Sequence, residues 1–88
     1  MAERMNVESL RYAQAVAETG SFSAAARAYG VTQPALSNGI ARLEEQLGGR
    51  LFERSSKGVT PTTLGLHLLP KVSEALRALD LVVSEASR

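Results

Sequence analysis

Gly30 stands four residues after Ala26 and six before Leu36, and this spacing constrains the chain more than any other feature of its sequence. A small Ala lets two helices come close, a Gly takes the left-handed turn between them, and the Leu packs the second helix onto the first. The order Ala, Gly, Leu at these distances is that of a helix-turn-helix. Capping residues agree with it on both sides. Ser21 can close the front of a short helix through Phe22, Ala25, Ala26 and Tyr29 that stops at Gly30. Thr32 caps the next helix, with Gln33 and Pro34 in its first turn, where a missing proline N–H costs nothing. Its apolar stripe of Leu36, Ile40, Leu43 and Leu47 ends at Gly48-Gly49.

The flanking segments read in the same way. Asn6 is a cap for a first helix with Val7, Leu10, Ala13 and Ala17 at helical spacing until Gly20. Between Leu51 and Thr60, two short strands are expected around a tight turn at Ser55-Ser56-Lys57-Gly58. Pro61-Thr62 opens a final helix whose Leu69, Val72, Leu76, Leu79, Val83 and Ala86 follow heptad spacing. Pro70 lies inside that helix and should bend it or cost about 3 kcal/mol or more. Thirteen Ala and twelve Leu against eight Val plus Ile favour helix over sheet. The expected fold is therefore mainly α: a winged helix-turn-helix of three helices and a two-stranded β-wing over residues 1–61, followed by a long helix over residues 62–88.

Length and composition remove several function classes. A chain of 88 residues supports one domain with a thin core, which leaves no room for a large enzyme or a multidomain receptor. It has no Cys, hence no disulfide framework, thiolate nucleophile or Cys-based zinc site, and a single His, His67, cannot build a His-rich metal site. His67 is expected at the surface or an interface. A Ser-His-Asp triad needs a rigid pocket and an oxyanion hole that a thin helical head is not expected to enclose, so no catalytic activity, metal or cofactor is expected. Met1 to Asn6 has no apolar run like that of a signal peptide, and no stretch is long and apolar enough for a membrane span. A cytoplasmic protein without a membrane partner is the expectation.

The formal charge of +1 argues against a nucleic-acid partner only as an average. Residues 1–18 and 74–88 each carry net −1, while residues 19–73 carry net +3. From Thr19 to Leu43 there is no acidic residue, as a helix approaching phosphates requires. Opposite the apolar stripe of the third helix, Gln33, Ser37 and Ala41 form one row and Pro34, Asn38 and Arg42 the next. Gln and Asn can bond to adenine N6 and N7, Ser can donate or accept, and the apolar groups of Pro34 or Ala35 can touch a thymine methyl. Ser21 and Ser23 at the start of the second helix, with Arg50, Arg54 and Lys57 around the wing, could meet phosphates. An ordinary solvated helix surface is the competing account of the same face.

Beyond these patterns the sequence resembles a known family. Leu10-Arg11-Tyr12, Thr19-Gly20-Ser21-Phe22-Ser23-x-Ala25-Ala26, Val31-Thr32-Gln33-Pro34-Ala35-Leu36-Ser37, Ile40-x-x-Leu43-Glu44, Leu47-Gly48, Leu51-Phe52-x-Arg54 and Thr62-x-x-Gly65 are similar to the N-terminal winged helix-turn-helix domain of LysR-type transcriptional regulators. The resemblance runs from about Asn6 to the end of the chain. It implies that the third helix is the recognition helix, with Gln33, Pro34, Ser37 and Asn38 facing bases of double-stranded DNA. Ser21, Ser23, Thr32, Arg42, Arg50, Arg54, Lys57 and Thr62 would then serve the backbone or the wing. It further implies that the last helix pairs two protomers antiparallel into a homodimer through Leu69, Val72, Leu76, Leu79 and Val83. Family members continue into an effector-binding domain that this chain lacks, to which any small-molecule effector would belong, and an interrupted palindrome is the expected DNA. Asn38 and Gly39 stand where the family often has Arg and Gln, Ala13 where Phe is frequent, and Pro61 where Leu is usual. The Gly costs about 1 kcal/mol in a helix interior.

Two alternatives accompany this reading. The heptad stripe could fold back on the first helix instead of pairing with a second copy. The chain could also be a helical dimerisation or protein-interaction module without specific DNA binding.

Overall fold

A computed structural model describes residues 5–87. Met1 to Arg4, part of the stretch without a signal-peptide-like apolar run, and Arg88 lie outside the described residues. The elements are α1 (Val7–Thr19), α2 (Phe22–Tyr29), α3 (Gln33–Leu47), β1 (Phe52–Ser55), β2 (Gly58–Pro61) and α4 (Thr63–Ala86). Each helix begins where its cap residue stands. Asn6 Oδ1 accepts from the Glu8 N–H, Ser21 Oγ from Ala24, Thr32 Oγ1 from Ala35 and Thr62 Oγ1 from Gly65, at 2.8, 3.0, 3.2 and 3.0 Å. Removing such a cap typically costs about 1 kcal/mol. Gly30, at φ 65° and ψ 33°, takes the left-handed turn between α2 and α3, and its N–H closes α2 onto Ala26 and Arg27. A side chain there would carry the left-handed penalty of roughly 1–2 kcal/mol.

The core forms where α1, α2 and α3 meet the start of the wing. Ala13 and Val16 of α1, Ala25 and Ala26 of α2, Leu36, Ile40 and Leu43 of α3, and Leu51 and Phe52 are buried together. The inner face of α1 is rotated from the expected one. Ser9, Ala13 and Val16 point inward, while Val7 is 41% exposed and Ala17 also faces solvent. Small side chains on α1 and α2 set how close the helices come, and α3 is admitted by its own glycine. A Cβ on Gly39 would sit 2.9 Å from Cδ2 of Tyr12, whose ring is packed edge-on against Tyr29. The helix-weakening Gly39 is thus what lets α3 lie against Tyr12.

β1 and β2 pair antiparallel in the register Phe52↔Pro61, Glu53↔Thr60, Arg54↔Val59 and Ser55↔Gly58, leaving Ser56 and Lys57 as the two-residue turn. Pro61 belongs to β2, where it forms one end of the two-stranded pairing, and α4 starts two residues later than Pro61 with Thr62 as its cap. Leu51 ties these pieces together. Its N–H donates to Glu44 Oε2 at 2.7 Å and its carbonyl accepts from the Thr62 N–H at 2.9 Å. Thr62 Oγ1 in turn donates to the Arg50 carbonyl. Gly65 is buried against this knot, and a Cβ on it would overlap the Leu51 carbonyl oxygen.

α4 continues without interruption through Pro70. The proline is exposed, and Leu66, whose carbonyl loses its helical donor there, is 66% exposed, so water can replace the missing bond. The heptad stripe divides along its length. Val72 and Leu76, expected at a seam between two protomers, are only 8% and 3% exposed in the single chain. Val72 joins Leu10 and Leu47 around an apolar crevice, and Leu69 packs on the main core. This half of the stripe folds back onto the head, because α1 and the end of α3 present apolar surface directly beneath it. Arg11 reaches Asp80 at 3.3 Å and marks where that contact ends. Leu79 at 39% and Val83 at 66% lie farther out and stay exposed.

Two substitutions test these close approaches. Gly65→Ala should lower stability by about 1–3 kcal/mol in urea unfolding, although Ala is the better helix former, because the Leu51 backbone cannot yield cheaply. Gly39→Ala should be more favourable in a Tyr12→Ala background than in the parent, since only there is its helix propensity gained without displacing a ring. Equal effects in both backgrounds would remove the steric role assigned to Gly39.

Candidate nucleic-acid interface

The apolar stripe of α3 faces the core, which obliges its other face to look outward. Gln33, Pro34, Asn38, Ala41 and Arg42 are exposed and Ser37 is half-buried at its edge. With Thr32 capping α3 and Pro34 in its first turn, the N-terminal half of the helix is held rigidly at the surface. No acidic side chain lies on this half of α3; its first carboxylate is Glu44.

Neighbouring elements hold two of the four candidate base-facing side chains. Ser23 Oγ, from the first turn of α2, donates to Gln33 Oε1 at 2.8 Å. Arg54, from β1, donates through Nη2 to Ser37 Oγ at 3.5 Å. The Arg54 guanidinium also lies 3.9 Å from the centroid of the Phe22 ring, which in turn meets Phe52 edge-on at 6.2 Å. Such a cation over an aromatic face contributes roughly 0.5–1 kcal/mol at exposed sites. Arg54 is therefore folded back across the gap between wing and α3, while Lys57 stands at the tip of the hairpin, exposed, with its backbone N–H on Ser55 Oγ. Phe22, Ser37, Ala41, Phe52 and Arg54 line the groove between α3 and β1.

The remaining candidates separate by what their polar atoms already do. Ser21, Thr32 and Thr62 are caps, each accepting a helix N–H. Thr62 also gives its hydroxyl hydrogen to the Arg50 carbonyl, so its side chain ties the wing to the start of α4. Arg50 is 70% exposed and sits 3.7 Å from Glu44, a surface ion pair that restrains it only weakly. Arg42 is exposed on α3, four residues after Asn38 and so on the same face.

Two positions that shape this surface escaped the sequence reading. Phe22 counts as core by its spacing, yet its ring also seats Arg54, and nothing in the order of residues says which aromatic face a strand thirty residues later will cross. Glu44 looks like a helix-end acid, but it is the acceptor for Leu51 that sets the direction in which the wing leaves α3. Its position three residues before Leu47-Gly48, with the chain required to turn back at once, was the available signal.

Among the described residues, no three or more His, Asp or Glu side chains gather as a metal site would need, and no helix is long and apolar enough to cross a membrane. A short helix, a glycine turn, a longer helix with its polar face outward and a two-stranded hairpin beside it define a winged helix-turn-helix domain. A family model described as bacterial regulatory helix-turn-helix protein, lysR family, matches residues 7–66. The chain belongs to this family.

Relatives and solved structures agree. The chain is 45% identical over 84 residues to the HTH-type transcriptional regulator IlvR of Caulobacter vibrioides, covering 96% of this chain and 28% of that protein. It is 46% identical over 81 residues to a probable hydrogen peroxide-inducible genes activator of Mycobacterium leprae, covering 92% of this chain and 26% of that one. It thus spans roughly a quarter of the length of these relatives. Its fold matches the BenM DBD of a catB site 1 DNA complex with a TM-score of 0.90 at 39% identity, over 96% of this chain and 94% of that one. The CbnR DBD of a DNA complex gives a TM-score of 0.86 at 32% identity, over 94% and 95% of the two chains.

The seat of Arg54 is open to a direct measurement. In a double-mutant cycle of Phe22→Leu and Arg54→Ala, urea unfolding should give a coupling of about 0.5–1 kcal/mol, and strict additivity would mean that the ring does not hold the guanidinium.

Proposed function

We infer that the chain is the DNA-binding module of a LysR-type transcriptional regulator and binds double-stranded DNA sequence-specifically. The observation that carries this reading is the acid-free outward face of α3, bearing Gln33, Pro34, Ser37 and Asn38 and flanked by Arg42, Arg54 and Lys57. A helix of this kind fits the major groove, where each base pair presents a distinct pattern of donors, acceptors and methyl groups. Gln33, Ser37 and Asn38 supply hydrogen-bonding groups there, and Pro34 supplies an apolar edge. Arg42 and Lys57 meet phosphates on either side, and Ser21 and Thr32 bring the helix starts close to the backbone. Arg54 lies between the two sets and can leave the Phe22 ring for the minor groove or backbone at a small cost.

The assembly is a homodimer on an interrupted palindrome. With Val72 and Leu76 buried against the head, the pairing surface is the outer end of α4, where Leu79, Val82 and Val83 are exposed on one face. The segment of residues 1–61 does the reading, and the segment of residues 62–88, through α4, links it to its partner. In the longer protein a separate domain holds the small-molecule effector, and the work is done on DNA in the bacterial cytoplasm without catalysis. A module that only dimerises would have no use for an acid-free polar face on α3.

Selection from a random duplex pool should recover a preferred palindromic site, and affinity for it should fall steeply with salt as phosphate contacts release counterions. On base-substituted versions of that site, Gln33→Ala should relax preference by about 1–3 kcal/mol at one position. Lys57→Ala should weaken binding to all sequences and flatten the salt slope. Equal affinity for the selected site and random duplex, by fluorescence anisotropy, would overturn the reading.

A further inference from the structure

Ser23 stands at the second position of α2, where a hydroxyl near a helix start reads as a phosphate contact. Its hydroxyl is committed elsewhere. Oγ donates to Oε1 of Gln33 at 2.8 Å, across the turn between α2 and α3. Both residues are exposed, so burial does not force the bond. Gln33 is the first residue of α3, with no earlier turn of its own helix to restrict its rotamers, and Ser23 supplies the restraint.

A glutamine amide has two unlike ends: Oε1 only accepts, and Nε2 carries two donors. An amide free to turn over can read adenine, accepting from the N6 amino group while donating to N7. With Oε1 drawn back toward α2, the end left for the groove is Nε2. Guanine offers N7 and O6, both acceptors, and thymine offers O4. Adenine sets its N7 acceptor beside an amino donor that would face another donor. We propose that Ser23 is a specificity-determining residue: by holding Oε1 of Gln33 it makes that side chain a donor-only reader, which selects guanine or thymine over adenine at the base it contacts. This rests on the DNA-binding reading above and deepens it.

The test uses the whole chain and a duplex selected from a random pool. The base pair read by Gln33 is the one whose preference disappears in Gln33→Ala, and duplexes carrying each of the four bases there are then titrated against the parent, Ser23→Ala and Ser23→Thr. In the parent, guanine or thymine on the contacted strand should bind at least about fivefold more tightly than adenine. Ser23→Ala should remove that ratio at this pair alone, and Ser23→Thr, which keeps the hydroxyl, should retain it. Adenine preferred by the parent would overturn the proposal. So would a Ser23→Ala variant that loses affinity equally for all four bases, the signature of a phosphate contact, or one whose base preference is unchanged. Thermal unfolding of Ser23→Ala at the parent temperature separates these outcomes from a damaged fold. Failure to select any duplex would instead remove the DNA-binding reading, and the proposal with it.

Discussion

The backbone of Leu51 is bonded on both sides, its N–H to the Glu44 carboxylate and its carbonyl to the Thr62 N–H, while Gly65 lets α4 lie against the same carbonyl. Three elements meet at this residue: the end of α3, the start of the wing and the first turn of α4. A buried backbone group without a partner would cost about 1–3 kcal/mol, so each of these bonds restrains the directions in which the chain can leave. The fully buried Leu51 side chain fastens the same point to the core. β1 consequently departs toward α2 and α3, and three residues later Arg54 arrives over Phe22 and beside Ser37. α4 departs along α1, which buries Val72 and Leu76 and leaves its far end bare.

The outward face of α3 gains its order from residues that are not on α3. Ser23 of α2 and Arg54 of β1 each bond a side chain of that face, and Phe22 holds the arginine from beneath. Pre-oriented side chains lose less conformational entropy when they engage a partner than free ones do. The charge distribution is equally economical. The chain carries +1 overall, with the positive excess in residues 19–73 and none of the acids on the first half of α3. Modest net charge limits non-specific attraction to phosphates, so discrimination on DNA depends more on placed side chains than on bulk charge.

Helix limits were legible in the sequence because the residues that make them act locally. Asn6, Ser21, Thr32 and Thr62 each bond an N–H two or three residues ahead, and Gly20, Gly30 and Gly48 each take a left-handed conformation their neighbours could not adopt cheaply. The hairpin was legible for the same reason, its turn being two residues long. The face of α1 was not. Its stripe of Ala and Ser is weakly apolar on every side, so periodicity alone could not say that Ser9 would be inside and Val7 outside. Gly39 likewise read as a local loss, since its benefit lies at Tyr12, on another helix.

The sequence by itself determined where the helices are capped and the first three stop, the apolar stripe of α3, the polar residues opposite it and the family to which the motifs belong, because caps, turns and periodicity depend on neighbours in the chain. Tertiary structure alone decided what those elements touch. It made Thr62 a clasp onto Arg50, turned Ser23 toward Gln33, laid Arg54 on Phe22, and divided the leucine stripe of α4 into a half that packs on the head and a half that stays exposed. Each of these depends on the angle at which distant segments meet, and that angle is set by packing around Leu51 and Gly65, which no spacing of residues along the chain records.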